Sequence, residues 1–119
     1  HDSHNLTVLG ANDTDMAIAA EAVASAGGGQ AVAAGGELLA VLRLPVAGLM
    51  SDQPAVAVVA EQAAVLEAAA SLGTPLEDPF MPLSFLPLTV IPSLKLGDNG
   101  LVDVDRFKVV PLHIDPAAG

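Results

Sequence analysis

Five prolines, Pro75, Pro79, Pro82, Pro87 and Pro92, fall within the eighteen residues from 75 to 92. Each lacks an amide proton and fixes its own φ, so no long helix crosses this stretch. Short extended pieces are expected there, at Leu83–Leu86, Thr89–Ile91 and Leu94–Leu96. Asp98-Asn99-Gly100 reads as a turn, leading into two more apolar runs, Leu101–Val104 and Phe107–Leu112. Upstream, Asn5–Gly10 is a short β-type run. Asn12 is then placed to cap a helix running to Ala26, with Asp13 and Asp15 at the positive end of its dipole. Gly27-Gly28-Gly29 stops that helix, and Ala31–Ala34 and Leu38–Leu44 flank Gly35-Gly36 as a hairpin. Ser51 or Asp52 is expected to cap a second helix, with Pro54 in its first turn and Leu72 near its end. Its expected core side is Val58, Val59, Ala63, Leu66, Ala69 and Ala70. The predicted order is β-α-β-β-α-β plus short C-terminal strands. That is an α+β two-layer sandwich, with two helices on one face of a mainly antiparallel sheet. A length of 119 residues suits one domain spanning 1–119.

Charge bounds the partners. Four basic residues stand against fourteen acidic ones, for a net charge of −10. A phosphate backbone is repelled by such a chain, and no basic stripe offsets that, so nucleic acid is not an expected partner. The chain is apolar, with a mean hydropathy of +0.57, but Glu21, Glu37, Arg43, Asp52, Glu61 and Glu67 interrupt its apolar windows. No uncharged run reaches the roughly 20 residues of a spanning helix, so no membrane is expected. His1-Asp2-Ser3-His4 has neither the basic patch nor the apolar stretch of a signal peptide. Cysteine is absent, which removes disulfides and thiolate metal sites and fits a reducing interior; a cytoplasmic location is expected. Low charge on so apolar a chain has two readings. Either part of the surface is covered by a neighbouring domain or a symmetry mate, or the composition follows an alanine-rich proteome.

Few segments carry chemistry. His1, Asp2 and His4 all own atoms that ligate zinc, iron or manganese. In an extended chain, however, His1 and His4 point to opposite faces, and only His113 remains as a further histidine. No nucleophile elbow or serine triad occurs, and the triple glycine follows a helix where a phosphate loop would precede one. Glu77 and Asp78 are adjacent carboxylates that suit either acid–base work or a solvated loop. Two loops, Pro45–Asp52 and Leu76–Phe85, hold Leu49, Met50, Phe80, Met81 and Phe85. Apolar residues in irregular loops either dock onto another surface or fill space locally.

Six strings in series carry a family resemblance: HDSHN at 1–5, NDTDMAIA at 12–19, GGG at 27–29, PVAGLMSD at 45–52, LEDPFMPLSFLPLTVIPSLKL at 76–96 and GLVDV at 100–104. Together they resemble, almost end to end, the C-terminal domain of microbial adenine deaminases of the amidohydrolase superfamily. The resemblance implies a parent enzyme of purine salvage that hydrolyses adenine to hypoxanthine and ammonia at a divalent metal centre (Mn, Fe or Zn) in a (β/α)8 barrel. This sequence carries neither that barrel nor its His-x-His motif, so no metal ligand maps onto it, and the fragment alone is expected to be inactive. The resemblance places HDSHN beside the substrate mouth, making His1, Asp2, Ser3 and His4 candidates for purine contact or for support behind it. The loop from Glu77 to Phe85, with Glu77, Asp78 and Ser84, ranks behind them as a means of closing the pocket. The implied partner is the barrel, with a second copy of the chain as another. The alternative is a free-standing small-ligand-binding or oligomerisation module.

Overall fold

A computed structural model describes residues 4–113. The elements in chain order are α1 (Asp13–Ser25), β1 (Gly29–Ala34), β2 (Glu37–Arg43), α2 (Ala55–Ser71), α3 (Phe80–Phe85), β3 (Leu94–Gly97), β4 (Gly100–Asp103) and β5 (Lys108–Val110). The mixture of helices and antiparallel strands is the α+β class expected. The strands form two sheets, the hairpin β1-β2 and the meander β3-β4-β5. The chain gathers into two compact units, Val8–Phe80 and residues 4–7 with 81–113.

In the first unit, local chemistry sets the boundaries of α1. The Asn12 side-chain oxygen accepts from the Asp15 amide at 2.9 Å, capping the helix as expected. At the other end Gly27, with φ 79°, takes the left-handed position, its amide donating to Ala24 while Gly28 donates to Val23. This double closure satisfies two carbonyls of the last turn. The hairpin turns through Gly35 and Gly36, both at positive φ, which suits the twist of the two strands. Both long helices pack against this hairpin.

Two carboxylates fasten helices to strands. Asp15 accepts from the amides of Gly36 at 2.7 Å and Gly35 at 3.2 Å, tying the start of α1 to the hairpin turn. Glu61 on α2 accepts from the Arg43 amide and from its guanidinium, each at 2.9 Å, holding α2 to the end of β2. Between them lies a small core: Val32, Leu42, Val65 and Ala69 are buried, with Ala40, Leu44, Val58, Ala68 and Phe80 packed around them.

Several expectations fail here. Asn5–Gly10 forms no strand: no edge pairs with it, and Leu6 and Leu9 are exposed. The order therefore begins with α1. Helix α2 is capped by neither Ser51 nor Asp52. Ser51 accepts from the Gln53 amide, and Pro54 is the cap residue, its carbonyl accepting from Ala57 and Val58. The inward face of α2 carries Val58, Glu61, Gln62, Val65, Ala68 and Ala69, so Val59, Ala63 and Ala70 point out and are exposed. The helix is apolar nearly all round, and periodicity alone does not fix its phase. In the proline-rich stretch α3 replaces the extended piece at Leu83–Leu86. Asp78 accepts from the Phe80 amide at 2.9 Å, and Pro82 lies in the first turn, where its missing proton costs nothing. Thr89–Ile91 is turn, while Leu94–Leu96 and Leu101–Val104 fall on β3 and β4 as expected, and β5 covers the middle of Phe107–Leu112.

Two outcomes follow from this packing. In residues 1–119 by themselves, Val65→Ala should cost about 2–3 kcal/mol of unfolding free energy, whereas Val59→Ala should stay within about 0.5 kcal/mol. Denaturant titration of the two variants checks the phase of α2, and equal losses would refute it. The second concerns acid. The Asn12 amide, then the Gly36 and Gly35 amides, hold the Asp15 carboxyl below the usual aspartate value of 3.8. A depressed carboxyl stabilises the fold above its unfolded pKa, and that contribution is lost as pH falls through the folded value. Thermal unfolding of the wild type should therefore weaken below the usual aspartate value, and Asp15→Asn should lower the midpoint at neutral pH while flattening that acid limb.

Candidate functional site

The second unit is built on the three-stranded meander. Gly97 pairs with Gly100 across the turn Asp98-Asn99, and β4 continues into its partner β5 with Leu101 opposite Val110. The irregular segment from 86 to 93 is stitched alongside, the Leu96 amide donating to the Leu86 carbonyl at 2.9 Å and the Val104 amide to Ser93 at 2.9 Å. Pro87 within it and Val104 after β4 are buried. This leaves the 98–99 turn standing beside the 87–90 segment.

Two open recesses flank that turn. The larger, about 520 Å³, is lined by His4, Asn5, Pro87, Leu88, Thr89, Val90, Gly97 and Asp98. The smaller, about 350 Å³, shares Thr89, Gly97 and Asp98 and adds Asn99, Val102, Phe107, Lys108 and Val109. Asp98 thus belongs to both, and its Oδ1 accepts from the Asn99 side-chain amide at 3.1 Å. The lining of the larger recess includes an imidazole, a carboxamide, a hydroxyl and a carboxylate beside Leu88 and Val90. His4, Asn5, Thr89, Val90 and Asp98 are all exposed, so the recess is a shallow surface hollow open to solvent.

The sequence-derived candidates fall in different places. His1, Asp2 and Ser3 lie outside the described residues. His4 lines the larger recess. Glu77 is exposed in the first unit, and Asp78 caps α3. The Ser84 hydroxyl donates to the Met81 carbonyl at 2.6 Å, within α3. None of these three lines either recess. Asn5, Thr89 and Asp98 were not singled out by sequence. Asn5 stands inside the HDSHN string, but Asp98 carries only a turn signal, which its position already explains. Among the described residues no three His, Asp or Glu side chains converge to hold a metal ion. The described residues therefore do not fit the metal centre that the resemblance implies for a parent enzyme. No described helix is long and apolar enough to cross a membrane.

The family model for the adenine deaminase C-terminal domain matches residues 1–108, through both units. The chain belongs to that family. Among curated relatives it is 59% identical to an adenine deaminase of Oleidesulfovibrio alaskensis over 94% of the chain, and 55% identical to one of Desulfatibacillum aliphaticivorans over the same share. A third, from Moorella thermoacetica, is 50% identical over 94% of the chain. In each case the matched region is only about a fifth of the relative's length, 20%, 20% and 19% respectively. The adenine deaminase C-terminal domain thus accounts for this chain, while four-fifths of each relative has no counterpart in it.

Proposed function

We propose that residues 1–119 act as one domain of an enzyme that hydrolyses adenine to hypoxanthine and ammonia, in cytoplasmic purine salvage. In this reading a separate metal-bearing barrel, holding Mn, Fe or Zn, carries out the replacement of the exocyclic amine by oxygen from water. The present residues bind and orient the purine. The observation that supports the reading is that His4, from the HDSHN segment, and Asp98 both line one recess. Imidazole and carboxamide groups both donate and accept, and a carboxylate accepts from ring or amine N–H groups, so together they match the edges of a purine. Asp98 and Asn5 are added to His1, Asp2, Ser3 and His4 as the substrate-facing set. Glu77, Asp78 and Ser84, each engaged or placed away from the recess, have a supporting part in the loop.

The test uses the full-length enzyme. Losing one hydrogen bond to a charged or polarised group costs about 1.5–3 kcal/mol, so His4→Ala and Asp98→Asn should each lower kcat/KM for adenine by roughly 10- to 100-fold. Glu77→Gln should leave it within about twofold, as expected of an exposed surface substitution. Wild-type kinetics in both His4→Ala and Asp98→Asn would remove the recess from the site.

A further inference from the structure

We infer that the loop from Val46 to Met50 and the outward face of α2 form the surface on which the remaining, N-terminal part of the adenine deaminase chain docks. The inference rests on the membership of a larger enzyme proposed above.

The outward face of α2 is the first observation. A helix on a solvated surface places polar residues outward. Here Val56 is 79% exposed and Val59 68%, and Ala60, Ala63 and Ala70 are exposed with them. Of the two ionisable groups on α2, Glu61 is turned to Arg43, which leaves Glu67 as the single charge on the outward side. The loop that leads into this helix repeats the pattern, with Val46, Leu49 and Met50 exposed at 44%, 50% and 60%.

The loop is also held in shape. The Val46 amide donates to the Met50 carbonyl at 3.0 Å, and the Met50 and Leu49 amides return to Val46 at 3.1 Å. The turn runs through Ala47 and Gly48 at positive φ. Gly28 abuts it so closely that a Cβ built there would run into the Cα of Gly48, while the Leu44 amide donates to the Gly28 carbonyl at 3.0 Å. A rigid loop presenting Leu49 and Met50 loses little freedom when a partner covers it.

The length of the relatives identifies the occupant. Each carries about four times as much chain again as the region matched here. A body joined covalently is present at high effective concentration and covers such a face before a second copy reaches it from solution. The complementary surface is accordingly aliphatic and poor in charge, within one polypeptide.

Because this chain has no cysteine, single thiols placed in it report locally. In the full-length enzyme, Met50→Cys, Val59→Cys and the exposed control Glu21→Cys are each labelled with a maleimide and read by peptide mass spectrometry. Docking predicts that the first two label roughly tenfold or more slowly than the control, since they are reached only through local opening. It also predicts that this protection is unchanged on dilution. Labelling of both at the control rate overturns the inference, and so does protection that disappears as the protein is diluted, which would assign the face to a second copy. The readout is independent of turnover, so it separates a failure of docking from a failure of the proposed purine recess.

Discussion

Two partly exposed carboxylates, Asp15 and Glu61, tie the helices of the larger unit to its hairpin around a small aliphatic core. With valine, leucine and alanine as the buried side chains, little apolar surface leaves water per residue. Asp15 and Glu61 supply direction where the core supplies little. Each reaches from a helix to backbone amides of the hairpin, at opposite ends of β2. Asp15 works at an end where the exposed amides of the turn and the helix dipole both favour a negative charge. The Glu61 bonds lie on the same side of α2 as Val65 and Ala69, whose burial with Val32 and Leu42 leaves the opposite side of that helix outward.

The smaller unit depends on a different constraint. Its strands are short, and a meander of three- and four-residue strands buries little by itself. The irregular segment from 86 to 93 completes it through two backbone bonds and the buried Pro87. That arrangement brings residues far apart in sequence, His4 and Asp98, to the wall of one recess.

What was legible in the sequence was what local chemistry determines. The Asn12 cap, the glycine stop and the Gly35-Gly36 hairpin all follow from residues whose preferences act over one turn. The α+β class followed from the same signals. The phase of α2 was not legible, because a helix rich in alanine and valine offers an apolar stripe on either side; Val65 and Ala69 are the residues it buries, against a hairpin that sequence does not reveal as its neighbour. Asn5–Gly10 has the composition of a strand but no partner edge, and α3 is a six-residue helix whose proline sits where a helix tolerates it. Of the site, HDSHN was legible only through family resemblance. Asp98 was hidden because turn chemistry alone accounts for it.

The central claim is that this chain contributes to adenine deamination without housing the reaction. The most direct measurement is ammonia release from adenine by purified residues 1–119, supplied in turn with Mn²⁺, Fe²⁺ and Zn²⁺, beside the full-length enzyme under the same conditions. The account predicts turnover by the full-length enzyme and none by the isolated chain. Metal-dependent deamination by residues 1–119 alone would contradict it.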